Sequence, residues 1–267
     1  MMTPHRHGGT DALGVPRHDF STNSNACGPC PMALTEVQQA DASHYPDATY
    51  TDLRASLAAF HGVDVARVLL AGSASEFIFR ISACVARLCP ALRPAVHLPP
   101  HAYGDYAQAA LAWGLPQVAH SAQATLVWAC EPSSPLGQAH HLWPVGAPGQ
   151  LQICVLDSAY APLRLSGQPS LNATQLAQVW QMFTPNKALG LTGVRAAYVI
   201  APQAKQAGTQ RQIDTILSAL NQLAPSWVVG AHGVAMLQAW VSPPVQAWLA
   251  EALVVLRNWK TQQIAML

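Results

Sequence analysis

The runs "ATLVWAC" (124–130) and "LQICVLD" (151–157) are apolar almost from end to end, without the polar–apolar alternation of a half-exposed strand. Such a strand must bury both faces, as in a parallel sheet covered by helices on two sides. The flanking pattern agrees. "RVLLAG" (67–72), "AVHL" (95–98), "VWQMF" (179–183) and "RAAYVIA" (195–201) also read as strands. Between them, residues 50–62 place Leu53, Leu57 and Phe60 at helical spacing, with Gly62 as a stop. Residues 73–88 repeat Phe77, Ile81, Val85 and Leu88 behind a Ser73/Glu76 capping-box spacing. Further helices are expected at 103–114, 209–223, 226–241 and 243–260, the last with Val245, Trp248, Leu249, Ala252 and Leu256 on one stripe. Strand–helix alternation of this kind predicts an α/β fold with a mainly parallel sheet and helices on both faces. Residues 1–50, rich in Pro, Gly, Asn and His, read as an irregular arm. The expected division is an arm (1–50), a large domain (51–242) and a connecting helix (243–267).

At 267 residues and 51% hydrophobic, the chain has ample material for one large core or two smaller ones. Only 10% of its residues are charged, well below the usual quarter or so, so much of the surface is neutral or covered by a partner. The net charge is +1 with no basic run, which gives nucleic acid or a membrane surface no electrostatic footprint. No apolar stretch approaches the ~18 residues of a spanning helix, and "MMTPHRHGGTD" lacks the apolar segment of a signal peptide. The expectation is a soluble cytoplasmic protein.

Cysteine and histidine suggest no metal site. "CGPC" (27–30) lies between "STNSNA" and "PMAL", in a Pro/Gly loop, and no second CxxC supplies the other half of a zinc site. Together with Cys84, Cys89, Cys130 and Cys154, these read as ordinary reduced thiols. His140 and His141 are adjacent, and no HExxH occurs.

In sheets of this type, ligands bind beyond the carboxyl ends of strands. Four strand ends carry polar residues: "GSASE" after 67–72, "EPSSPLG" after 124–130, "DSAY" at 157–160 and "TPNK" at 184–187. Gly72, Ser73, Ala74 and Ser75 would open a helix whose free N–H groups and dipole favour a phosphate. Asp157 follows an apolar strand directly, and a buried carboxylate needs a cationic or hydrogen-bonding partner. Lys187, in a water-poor site, would be nucleophilic toward an aldehyde. An aspartate, a lysine and a phosphate cradle at three neighbouring strand ends are what pyridoxal phosphate requires.

The chain resembles the fold-type I pyridoxal-phosphate enzymes of the class I/II aminotransferase superfamily over about residues 7–260. It is most similar to the histidinol-phosphate aminotransferase and threonine-phosphate decarboxylase branches. "HGG" (7–9) followed by "DFSTNSNACGP" (19–29) resembles the decarboxylase opening. "YPDATYTDLRASLAAFHGV" (45–63) resembles the Y-P-D helix of both branches. The resemblance implies that Ala74 and Ser75 sit in the phosphate cup and that Tyr103 of "YGDY" stacks on the cofactor ring. It implies that Asp157 pairs with the pyridinium nitrogen and that Tyr160 donates to the phenolate oxygen. In "TPNKALGLTGVR" it makes Lys187 the covalent attachment point and Thr184 and Arg195 phosphate holders. Lys187, Asp157 and Tyr160 are then the catalytic residues. His7, Gly8 and Gly9 become candidates for a substrate phosphate, and Gly190 and Gly193 let the backbone turn closely around the lysine. A homodimer acting on an amino acid or amino-phosphate is implied, with "HGG" favouring the cobalamin-linked decarboxylase branch.

Two departures stand out. In "CEPSSPLG" (130–137), Glu131 and Ser134 occupy positions where the family has asparagines. Ser134 replaces the one that donates to the phenolate oxygen; a serine still donates, with shorter reach. The resemblance also implies a small C-terminal domain, carrying a carboxylate-clamping arginine, that a chain ending at Leu267 would lack; Arg257 on the connecting helix is a poor substitute. These departures keep open a rival reading, a non-catalytic binding or scaffold relative of the same fold.

Overall fold

The computed structural model describes residues 8–88, 93–140, 143, 152–204 and 206–267. Cys89, His7 and His141 lie outside them. The elements run α1 (Pro31–Gln39), α2 (Thr51–His61), β1 (Val68–Ala71), α3 (Ala74–Leu88), β2 (Val96–His97), α4 (Gly104–Ala112) and β3 (Leu126–Cys130). Then follow β4 (Ile153–Asp157), α5 (Ala173–Leu176), β5 (Trp180–Phe183), β6 (Ala197–Ile200), α6 (Ala207–Leu223), α7 (Ala231–Trp240) and α8 (Pro243–Ala265).

The six strands form one sheet in the order β1-β6-β5-β4-β3-β2. β2 to β5 are mutually parallel, while β6 is antiparallel to both β5 and β1. Five strands therefore end at one edge of the sheet, and β6 begins there.

Both faces are covered, which accounts for the missing alternation. Leu69, Trp128, Val155, Met182 and Val199 pack with Phe77 and Ile81 of α3, Tyr106 of α4 and Ile216 of α6. The alternate residues Val68, Leu70, Tyr198 and Ile200 pack with Leu53 and Leu57 of α2, Met236 and Trp240 of α7 and Leu249 of α8. The result is a helix–sheet–helix sandwich with the mainly parallel sheet that the sequence predicts.

Three local expectations change. Within the expected arm, Pro31–Gln39 is a helix. Pro31 starts it with a preset φ and no N–H to lose, and Ala33 and Val37, four residues apart, are buried against α7 and α8. Its N-cap is Cys30, so "CGPC" opens a helix; Cys27, Cys30, Cys130 and Cys154 are free thiols. Second, residues 226–230 are not helical. Trp227 adopts φ 47°, stacks on Tyr45 at 4.3 Å and donates to the Pro46 carbonyl, while Tyr50 Oη bonds both the N–H and the C=O of Val229. These tertiary contacts hold the backbone out of a helix, so α7 starts at Ala231. Third, the Ser73 hydroxyl accepts from the Glu76 N–H as a capping box requires, but the Glu76 carboxylate accepts from Gly72 and pairs with Arg80 at 3.0 Å.

Candidate active site

At the edge where the five strands end lies a cavity of about 1250 Å³. Ser73, Ala74 and Ser75 reach it from the start of α3, Asp157 from the end of β4, and Thr184 and Lys187 from the turn after β5. Ser134 comes from the loop after β3, and Tyr103 from the start of α4. Arg195 arrives by the opposite logic: it precedes β6, and only the reversed direction of that strand delivers it to this edge. Gly8 and Gly9 line the same cavity. The expected site residues within the described chain thus all meet at one place. Arg257 is not among the lining; its Nε donates to the Leu165 carbonyl at 2.9 Å.

Asp157 is 5% exposed. Its Oδ1 accepts from the Ala159 N–H at 2.9 Å and its Oδ2 from the Tyr106 hydroxyl at 2.6 Å. Tyr106 is itself buried and stacked on Trp128, with ring centroids 4.4 Å apart. Burial pushes the Asp157 carboxyl above its ordinary value, opposed by the Tyr106 hydrogen bond and then by the charge of Lys187. Among the described residues no ion pair joins this carboxylate.

Lys187 is half-buried, and its Nζ lies 5.3 Å from the centre of the Tyr160 ring. Burial raises the Tyr160 phenol, opposed by hydrogen bonding to Ser134 and to Asn23. Thr184 is buried at 5% exposure, and its Oγ1 finds no hydrogen-bond partner among the described residues. An unmatched buried hydroxyl on the same cavity as a helix N-terminus and Arg195, which joins no ion pair among the described residues, is an invitation to an anion.

The lysine turn is held from the N-terminal side. The Asn25 N–H donates to the Lys187 carbonyl at 2.9 Å, Asn25 Nδ2 to the Ala188 carbonyl at 2.9 Å, and the Cys30 N–H to the Leu189 carbonyl at 2.8 Å. Gly190 has φ +67°, and a Cβ there would lie 2.6 Å from the Gly28 carbonyl oxygen. Gly190 is therefore needed for both its backbone angle and its lack of a side chain. Gly193 is not in that position: its φ is ordinary and nothing lies within 4 Å of its Cβ site.

Glu131, at the first expected asparagine position, points away from the cavity. Its buried carboxylate accepts from Arg164 at 2.9 Å, from the N–H groups of Ser170 and His140, and from the Ser170 hydroxyl. It ties the loop after β3 to the one after β4. Sequence reasoning missed Tyr106, Asn23 and Asn25. Tyr106 stands three residues after Tyr103 on α4, on its inward face, which was a usable signal. The asparagines lie in an irregular stretch with no period to read.

The likenesses to known proteins agree with this geometry. No family model matches the chain. A histidinol-phosphate aminotransferase of Ruegeria sp. (strain TM1040) is 28% identical over 210 residues, 69% of this chain and 56% of that protein. The chain spans little more than half the length of the curated relatives it matches. Among solved structures, the histidinol-phosphate aminotransferase from Sinorhizobium meliloti in complex with pyridoxal 5'-phosphate aligns with TM-score 0.65 at 22% identity, covering 88% of this chain and 66% of that one. The L-threonine-O-3-phosphate decarboxylase from Porphyromonas gingivalis aligns with TM-score 0.65 at 16% identity, covering 85% and 72%. The fold is that of the fold-type I pyridoxal-phosphate enzymes. The sequence relatives are aminotransferases built on it.

Proposed function

We propose that this chain binds pyridoxal phosphate through Lys187 and acts on an amino acid or amino-phosphate, as an aminotransferase or a threonine-phosphate-decarboxylase-like lyase. The observation that carries the proposal is the meeting of Lys187, a buried Asp157 without an ion pair, the unmatched Thr184 hydroxyl and Arg195 on one cavity.

The residues present suit the cofactor at both ends. Arg195 offers a bidentate fork, Thr184 a hydroxyl, and the first residues of α3 their free N–H groups, all suited to a phosphate dianion. At the opposite end the Asp157 carboxylate, costly to bury charged, is stabilised by a cationic ring nitrogen. Tyr160, with Ser134 beside it, offers donors to an anionic ring oxygen. When bound, pyridoxal phosphate supplies an electron-withdrawing ring that stabilises negative charge at the substrate Cα. Lys187, once its amine is free, holds or moves the proton at that carbon. Tyr103, which lines the cavity and is 39% exposed, would cover a flat ring and keep water from it.

The two reaction classes differ in which Cα bond is broken, so substrate orientation decides between them. The "HGG" opening, with Gly8 and Gly9 on the cavity, supports a substrate phosphate there and the cobalamin-linked branch; His7, outside the described residues, belongs to the same proposal. The domain division in this reading is an N-terminal arm (1–50), a cofactor-binding large domain (51–242) and a connecting helix (243–267), with helix α1 of the arm packed against α7 and α8. A cytoplasmic homodimer completes the reading, supported by the low charge fraction and by exposed Val254 and Trp259 on α8. Among the described residues no single helix is long and apolar enough to cross a membrane.

The test is to load the protein with the cofactor and follow carbon dioxide release from threonine phosphate against amino transfer from histidinol phosphate to a 2-keto acid. Carbon dioxide alone assigns the decarboxylase branch, and transfer assigns the aminotransferase. Neither, with cofactor bound, assigns the non-catalytic alternative that the Ser134 departure favours.

A further inference from the structure

Ser134 leaves the site with a short donor where the sequence resemblance implies an amide, and the N-terminal segment brings the Asn23 amide to within 3.4 Å of it. Asn23 Nδ2 donates to Ser134 Oγ at 3.4 Å, and both residues line the cavity with Tyr160, whose phenol they draw down against the rise that burial causes. Asn23 is not loosely tethered. Two residues on, Asn25 is laced to the carbonyls of Lys187 and Ala188, and the Gly28 backbone sits against Gly190 with no room for a Cβ between them. The anchor is thus the lysine turn itself, and it sets Asn23, two residues before Asn25, on the cavity that Tyr160 and Ser134 also line. An asparagine amide offers two N–H donors and extends one bond further than a serine hydroxyl.

We infer that Asn23 is the amide donor of this site: from the N-terminal segment it joins Ser134 and Tyr160 in stabilising the negatively charged ring oxygen of the bound cofactor. This rests on the cofactor reading above. It makes residues 23–30 part of the active site and Ser134 the member of the cluster that Asn23 relieves.

The physical consequence is measurable without turnover. That ring oxygen carries its charge least compensated when the lysine-bound cofactor has lost its proton, so each external donor favours the deprotonated form. Lys187, Asp157, Arg195 and the Tyr160 phenol face the same region and are left in place by a change at Asn23.

The experiment records absorbance against pH for the full chain loaded with pyridoxal phosphate, as wild type, Asn23→Ala and Asn23→Ala with Ser134→Asn. In N23A the pKa of the bound cofactor is expected to rise by about half a unit to one unit, the size of one lost neutral hydrogen bond. The added Ser134→Asn returns it toward wild type by supplying an amide from the other side. A structural role alone would lower the melting temperature or cofactor retention and leave the titration unmoved; an N23A band that titrates as wild type overturns the inference while leaving the cofactor reading intact. A wild-type chain that forms no band overturns the cofactor reading and this inference with it.

Discussion

The Tyr106 hydroxyl donates a 2.6 Å hydrogen bond to Oδ2 of Asp157, and both groups are buried. The bond fixes the orientation of a carboxylate that joins no ion pair among the described residues. Replacing Tyr106 with Phe keeps the stack on Trp128 and removes only this donor. Because a hydrogen bond to a charged group contributes more than a neutral one, the loss is expected to be about 1.5 to 3 kcal/mol. Urea unfolding of the cofactor-free protein measures it, and an unchanged midpoint would show that the bond carries no net stability.

Asp157 itself gives a prediction in which stability and binding move in opposite directions. Burial holds its folded carboxyl above the ordinary 3.8. The native state therefore keeps a proton that the unfolded chain releases near that ordinary value. The stability this contributes is present at low pH and is lost as pH rises through the raised folded value. Without cofactor, Asp157→Asn should lack this loss and melt above wild type at neutral pH. With cofactor it should bind roughly 10- to 100-fold more weakly, the charge-assisted bond being gone. Melting curves with and without pyridoxal phosphate test both halves.

Gly190→Ala should be destabilising for two separate reasons, a left-handed φ of +67° and a Cβ 2.6 Å from the Gly28 carbonyl oxygen. Together these cost about 2 to 4 kcal/mol. The damage should also be directional: the segment 23–30 loosens from the lysine turn, so limited proteolysis should cut it sooner than in wild type. Gly193→Ala, in open space, is the matched control and should change neither.

His61 should govern acid sensitivity on the other face of the sheet. Its Nε2 lies 2.8 Å from Tyr198 Oη, and burial depresses its pKa to about 4. The unfolded chain takes up this proton near 6.5 and the native state does not, so stability falls as pH drops from about 6.5 toward 4. The loss attributable to this group is roughly 2 to 3 kcal/mol. His61→Gln should keep a partner for Tyr198 and flatten that part of the profile in urea unfolding at pH 7 and pH 4.5.

The legible parts of the site were those where chemistry sits a few residues from an apolar strand end. Asp157, Lys187, Thr184 and the first turn of α3 were found that way because strand ends in parallel sheets share an edge. Arg195 lies at a strand start and was reached only by resemblance; the antiparallel β6 explains its place. Tyr106 and Asn23 act across 51 and 111 residues of chain, and no local period reports such pairings. α1 was missed because it is short and follows a Pro/Gly turn, and 226–230 was misread because tertiary contacts from Tyr45 and Tyr50 overrode a helical pattern.

The central claim is that Lys187 carries the cofactor. The chain has only two other lysines, Lys205 and Lys260. Borohydride reduction of the protein incubated with pyridoxal phosphate, followed by peptide mass spectrometry, should place one added pyridoxyl phosphate group on Lys187 and none in Lys187→Ala. Labelling confined to Lys205 or Lys260, or unchanged in Lys187→Ala, would contradict the account.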